Sequence, residues 1–193
     1  MNIRATTSAA EGLPRRAFTV AEVERMVEVG LIEEDERLEL LGGELVPMSP
    51  KSIEHEQLKL GLNLFLVRHC PDKLRVIHAT TFRLSKDTFF EPDFLIYPAS
   101  VSLRDLTGTD AILAIELADA SLSYDLGRKP RIYAQHGVEE LWVINATKLV
   151  AHIHRGRTQD GYSDVTTHDQ TSLLTPSRVP ELAFRLADLD FGP

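Results

Sequence analysis

An apolar run near the middle of the chain constrains the fold most strongly. Between Asp110 and Leu117, every interior position except one is alanine, isoleucine or leucine, which is typical of a strand buried on both faces of a sheet. The exception is Glu116, close to the carboxyl end of the run. A carboxylate in such surroundings costs several kcal/mol unless it is paired, protonated or bound to a metal. The run therefore predicts a buried central strand that presents a functional carboxylate near its end.

The first half of the chain carries signals for helices and a hairpin. Thr19 and Glu22 fit a capping box that predicts a helix near 19–30, ended by Gly30. The dipeptide Gly42-Gly43 predicts a two-residue turn between strands at 38–41 and 44–48. A dense apolar pattern predicts a second helix, packed on a sheet, from Ser52 to about Cys70. Two or three strands are expected between residues 74 and 97.

The second half predicts a helix between strands. A helix from about Arg128 to His136 has Pro130 in its first turn and Gly137 after its end. A strand over 141–145 is expected next, and then an edge strand facing water over 150–154. The region 159–175 is polar and rich in turn residues, and 182–191 is expected to pack back as a short closing element. The whole pattern predicts an α/β fold.

Length and composition limit the architecture. A chain of 193 residues, 43% of them hydrophobic, suffices for one sizeable core. We expect a flexible N-terminal segment over 1–16 and a single domain over 17–193. The longest apolar stretches are about five residues long, against the roughly 20 needed to span a bilayer. No membrane segment is therefore expected, and because Met1–Arg16 lacks the apolar run of a secretory signal, a cytoplasmic location is predicted.

The chain has a single cysteine, Cys70. One cysteine excludes an intramolecular disulfide and any cysteine-rich zinc site. We expect Cys70 to act as a small buried apolar residue.

Asp93 is the second candidate carboxylate. It follows Pro92 and precedes the apolar residues Phe94-Leu95-Ile96, so it would lie at the start of a buried strand. An aspartate that only caps a turn is the alternative. Two carboxylates that enter one sheet favour a divalent metal site, and a metal bound by hard oxygen ligands can polarise a phosphoryl oxygen.

Asp125 and Lys129 are the third candidate pair. They lie four residues apart and would share one face of a helix. An exposed ion pair, worth roughly 0.3 kcal/mol, is the alternative. A lysine at a helix start is unfavourable for the helix dipole, so we expect an active site to hold Lys129 there.

These residues resemble a known family. The segment Ile115–Asp125, with Lys129, Tyr133 and the segments 137–140 and 142–144, resembles the Uma-type putative restriction endonuclease family of the PD-(D/E)XK nuclease superfamily. Upstream, the similar landmarks follow in the same order: 38–46, 48–50, His55 and 91–93. The likeness covers roughly residues 17 to 190, and the order and spacing of the motifs together are specific.

The resemblance implies a restriction-endonuclease-like core: a mixed central β-sheet flanked by α-helices, with an N-terminal helix and a β-hairpin. It also implies that Asp93 and Glu116 bind Mg²⁺ or Mn²⁺ and that the protein hydrolyses DNA. The superfamily has a lysine two residues after the glutamate, where this chain has Ala118. Lys129 looks like the migrated substitute, with Asp125 orienting it.

Two more residues match the family's pattern. Glu39 corresponds to an upstream glutamate that is a further ligand or a contact to a metal-bound water, and an exposed strand carboxylate is the alternative. His55 has no second histidine at metal-ligand spacing in its helix. We expect a hydrogen-bonded structural histidine near the cleft.

The overall charge favours a second class of function. A net charge of −8 argues against broad electrostatic capture of nucleic acid, although a metal-binding carboxylate cluster is itself acidic. The alternative to an enzyme is a noncatalytic module that keeps the nuclease fold and binds DNA or a protein partner. For the enzyme, the family implies a possible homodimer, because two symmetric sites cut both strands of a duplex.

Overall fold

The computed structural model describes residues 5–8, 14–119 and 122–191. The chain divides into two units, Met1–Met48 with Thr81–Glu91, and Ser49–Thr80 with Pro92–Pro193. A single domain over 17–193 stays a prediction. In the segment predicted to be flexible, β1 (Ala5–Ser8) and β2 (Pro14–Arg16) pair antiparallel. The rest of that segment, 1–4 and 9–13, lies outside the described residues.

The first unit contains the predicted N-terminal helix and hairpin. Helix α1 (Val20–Glu28) begins with the predicted capping box between Thr19 and Glu22. Strands β3 (Leu38–Leu41) and β4 (Glu44–Pro47) are joined by Gly42 and Gly43, whose φ angles of 58° and 90° lie in the region that favours glycine. The sheet has the order β4-β3-β7-β6 and is completed by β6 (Phe82–Ser85) and β7 (Thr88–Phe90).

The second unit is built on a six-stranded sheet. Its order is β12-β11-β10-β9-β8-β5, and β9 and β10 pair parallel whereas every other pair is antiparallel. The strands are β5 (Leu74–Ile77), β8 (Phe94–Pro98), β9 (Leu113–Ala118), β10 (Leu141–Asn145), β11 (Val150–Thr158) and β12 (Gly161–His168). All of β9 is buried, so the predicted buried central strand is confirmed.

Two helices pack on this sheet. Helix α2 (Ile53–His69) starts after Ser52, whose hydroxyl accepts from the His55 N–H, and packs Leu58, Leu62 and Leu66 into the core. Cys70 ends it and is partly buried against that core, and burial raises the pKa of its thiol. Helix α3 (Leu122–Gln135) is the second. Within the described ranges, no helix has both the length and the apolar character to cross a membrane.

Three expectations about the second half were wrong. Helix α3 starts at Leu122, six residues earlier than the Pro130 signal indicated, so Pro130 lies inside the helix and Lys129 is not at its start. Strand β11 is not an edge, because β12 pairs with it from within the region expected to be turns. Most side chains of β12 are exposed, so its sequence is polar and lacks the apolar pattern that predicts a strand. The closing region contains two short 3₁₀ turns, Pro180–Leu182 and Leu186–Asp188.

Candidate metal centre

Strand register brings the two predicted metal ligands together. In the antiparallel pair of β8 and β9, Phe94 lies opposite Ile115, so Asp93, one residue before β8, falls opposite Glu116. The Leu117 N–H donates a hydrogen bond of 2.9 Å to Asp93 Oδ2 and fixes this register. Both carboxylates are buried. Asp93 therefore does not serve only to cap a turn.

Three residues spaced by four surround Asp93. Lys51 Nζ lies 2.9 Å from Asp93 Oδ1, and Lys59 Nζ lies 3.6 Å from the same oxygen. His55 Nε2 is 3.2 Å from Asp93 Oδ2. Lys51 precedes α2, and His55 and Lys59 follow on the same face of the helix, since residues four apart are neighbours there. The hydrogen bond expected of His55 is thus present.

These neighbours keep Asp93 ionised. Burial by itself raises the pKa of a carboxyl, but the hydrogen bond from His55, the charges of His55 and Lys51 and the Leu117 amide oppose it. The net result holds the pKa of Asp93 well below its usual range. Burial lowers the pKa of Lys59, against the opposing charge of Asp93. Asp93 is therefore an anion at neutral pH, as a metal ligand must be.

A second set of residues spaced by four surrounds Glu116. Lys129 Nζ lies 3.2 Å from Glu116 Oε1 and 3.2 Å from Asp125 Oδ1. Tyr133 OH donates a hydrogen bond of 2.6 Å to Glu116 Oε1. Asp125, Lys129 and Tyr133 share one face of α3 and are all buried. The alternative of an exposed ion pair between Asp125 and Lys129 is therefore wrong.

Glu39 belongs to the first unit of the chain. It lies on β3, is only 2% exposed, and accepts a hydrogen bond of 3.4 Å from the Glu91 N–H. An exposed strand carboxylate is thus excluded. In the second unit, Asp93 contacts His55, and Lys129 contacts both Glu116 and Asp125. A role for Glu39 at the metal stays a prediction.

Sequence reasoning missed Lys51 and Lys59, and it named Tyr133 only as a landmark of the family, without a role at the site. Each stands four residues from a residue that was already a candidate, His55 or Lys129. That spacing on a helix was the available signal. The spacing did not indicate that one face of α2 contacts Asp93 and one face of α3 contacts Glu116. Only the packing of the two helices on the sheet establishes this.

The two carboxylates fit a Mg²⁺-type ion. Among the residues that the structure describes, no three or more His, Cys, Asp or Glu side chains form a group that could hold a metal. An all-protein cage is therefore not indicated within those ranges. Mg²⁺ is usually bound by one or two carboxylates together with waters and substrate phosphates. Asp93 and Glu116 supply hard anionic oxygens on adjacent strands and match that requirement.

Comparisons with known proteins agree with this structure. The model of the family Uma2, described as a putative restriction endonuclease, matches residues 20–188. The fold is similar to the crystal structure of a putative nuclease belonging to DUF820 from Anabaena variabilis, with a TM-score of 0.68 and 15% identity over 89% of this chain and 96% of that chain. No curated protein matches. The mixed sheet with flanking helices and the resemblance to the Uma-type family are confirmed.

Proposed function

Because the chain belongs to the Uma2 family of putative restriction endonucleases, we propose that it is a Mg²⁺- or Mn²⁺-dependent endodeoxyribonuclease. Its reaction is the hydrolysis of DNA phosphodiester bonds. The observation that carries the proposal is the placement of Asp93 opposite Glu116, each with a lysine within 3.2 Å of a carboxylate oxygen. Two buried carboxylates in register, one beside the partly exposed Lys51 and one beside the buried Lys129, are more than the sheet needs for its stability.

Each side chain has a role in this proposal. Asp93 and Glu116 would hold the ion, which when bound would polarise a phosphoryl oxygen and lower the pKa of a bound water. Lys129 orients the attacking hydroxide or stabilises the developing negative charge. Asp125 lies 3.2 Å from Lys129 Nζ and keeps the ammonium beside Glu116. Tyr133 fixes the Glu116 carboxylate by its hydrogen bond, and His55 fixes Asp93.

The substrate, the oligomeric state and the cellular location are also proposals. We infer DNA as the substrate, a homodimer as the cutting form, since two symmetric sites reach both strands, and the cytoplasm as the location. Glu39 is proposed as an additional ligand or a contact to a metal-bound water, because it is buried and corresponds to an upstream glutamate of the family.

A noncatalytic binding module is the second candidate. The net charge of −8 favours it, because nonspecific DNA affinity comes mainly from lysine and arginine at phosphates. Such a module would keep the fold without metal-dependent cleavage. The Lys129–Glu116 contact favours the enzyme, because a module has no need to bury it.

Cleavage assays distinguish the two. Purified protein is incubated with supercoiled plasmid and with labelled single-stranded DNA, in Mg²⁺, Mn²⁺ or EDTA. The test variant is Asp93→Ala with Glu116→Ala, and the matched control is Asp160→Ala with Glu181→Ala, two exposed carboxylates. We expect metal-dependent cutting by the wild type and the control only. Equal cutting by the test variant would reject the site, and no cutting by the wild type would favour the module.

A further inference from the structure

Asp93 faces two lysines that lie nearer the surface than Lys129. The side chains of Lys51 and Lys59 are 19% and 17% exposed, against 5% for Lys129. Both ammonium groups approach Oδ1 of Asp93, whereas Oδ2 is held by His55 and the Leu117 N–H. Lys51 and Lys59 are therefore more accessible to a solute than Lys129.

Among the described contacts of the second unit, the cluster contains at least as many basic as acidic side chains, since His55 also lies beside Asp93. The lysines Lys51, Lys59 and Lys129 face the carboxylates Asp93, Glu116 and Asp125. Glu56 also approaches His55 Nδ1, at 3.3 Å, but its side chain is 57% exposed and solvent screens it. A divalent cation added alone would bring two positive charges to carboxylates that already face basic side chains. A phosphodiester anion that arrives with the cation removes part of that excess.

We propose that Lys51 and Lys59 bind the phosphate of the substrate and that, without substrate, they neutralise Asp93 in competition with the metal. The inference rests on the proposed function and deepens it. Lysine suits both roles, because its ammonium is a point charge on a flexible stem and is a common phosphate ligand. Metal and phosphodiester then bind cooperatively, since each relieves the charge excess that the other creates.

Binding of Mn²⁺ without DNA tests the competition. Titration calorimetry compares the wild type with Lys51→Met, Lys59→Met and the control Lys73→Met, whose side chain is 71% exposed and far less constrained. Couplings between ligand sites are typically five- to 150-fold. We expect Lys51→Met to bind Mn²⁺ at least about fivefold tighter than the wild type, Lys59→Met to show a smaller gain, and Lys73→Met to show none. Thermal unfolding of each variant verifies that it is folded.

Binding of a short DNA duplex tests the phosphate role. Fluorescence anisotropy in Ca²⁺ measures duplex affinity for the same variants and for Lys51→Arg, which keeps the charge. We expect Lys51→Met to weaken duplex binding about tenfold or more and Lys51→Arg to restore most of it. In the wild type, duplex should tighten Mn²⁺ binding, and Lys51→Met should reduce that effect.

The outcomes separate this inference from the proposed function. If the wild type binds Mn²⁺ through Asp93 and cuts DNA, but Lys51→Met and Lys59→Met behave like Lys73→Met in both titrations, only the inference is overturned. If Asp93→Ala leaves Mn²⁺ binding unchanged, the metal site itself is wrong and both fall. Tighter metal binding together with weaker duplex binding supports the inference.

Discussion

Lys129 reaches Glu116 from a helix, with Nζ 3.2 Å from Oε1 across 13 residues of sequence. The position two residues after Glu116, where the superfamily pattern has a lysine, is the buried Ala118. Because α3 begins at Leu122, Lys129 lies well within the helix, and Asp125 and Tyr133 lie one turn to either side of it. The lysine of the site therefore lies on helix α3 and not at the end of strand β9.

Loss of the Lys129 ammonium is expected to impair cleavage and also to destabilise the fold, because Glu116 and Asp125 lose the buried cation that contacts both. Lys129→Met should lower the cleavage rate by about 100- to 1,000-fold, the range for removing one preorganised charge donor. Lys148→Met, at an exposed position, is the control. Single-turnover rates on plasmid in Mn²⁺ measure the effect, and thermal unfolding reports stability. A variant that is folded and cuts at the wild-type rate would remove Lys129 from the mechanism.

Loss of the Tyr133 hydroxyl is expected to destabilise the protein. Its hydrogen bond of 2.6 Å to Glu116 is buried, and hydrogen bonds to charged groups contribute about 1.5–3 kcal/mol. Tyr133→Phe should therefore lower the free energy of unfolding, measured in urea, by about 1.5–3 kcal/mol. Tyr162→Phe also removes a hydrogen bond, to the Val138 carbonyl, and serves as the comparison for a neutral acceptor. An unchanged urea midpoint for Tyr133→Phe would show that the hydroxyl does not hold Glu116.

Acid is expected to destabilise the fold through His154. Burial, and then the charge of His152, lower the pKa of His154 from 6.5 to about 4. The side chain lies on β11 beside Tyr162, with ring centroids 5.7 Å apart. Between these two pKa values, His154 is protonated in the unfolded chain but neutral in the folded protein. The contribution of neutral His154 to the free energy of unfolding is therefore fully present above pH 6.5 and is lost as the pH falls toward 4.

The histidine contribution can be isolated by substitution. His154→Phe should flatten the fall in unfolding free energy between pH 6.5 and 4 by roughly 2 kcal/mol, less than the full shift because of solvent screening. Urea unfolding at several pH values measures the slope. The same slope in His154→Phe and the wild type would assign the acid sensitivity to other groups.

The sequence predicted the elements that carry strong local signals. The capping box of Thr19, the turn at Gly42-Gly43 and the apolar run that became β9 each follow from local physics. Misplaced elements had misleading signals. Pro130 indicated a helix start but is tolerated within α3. The exposed polar residues of β12 gave no strand signal, because this strand forms by pairing with β11.

The candidate site was only partly predictable. Asp93 and Glu116 were indicated because charged groups next to apolar runs are costly. Lys129 was indicated because it lies four residues after Asp125 at an expected helix start, and all three match a family pattern. Lys51 and Lys59 were not indicated, since lysines beside or within a helix are common on solvated surfaces. Only the packing of α2 against the sheet turns them toward Asp93. Tyr133 was in the family pattern but its contact with Glu116 depends on the orientation of α3.

The most direct test of the central claim locates the metal itself. The protein is crystallised with Mn²⁺ and a short DNA duplex, and an anomalous difference map is computed at the manganese absorption edge. The account predicts one peak at about 2.1 Å from an oxygen of Asp93 and from an oxygen of Glu116, with the Lys51 ammonium moved from Asp93 to a phosphate oxygen. A peak bound elsewhere, or no peak while Lys51 and Lys129 still contact the two carboxylates, would contradict it.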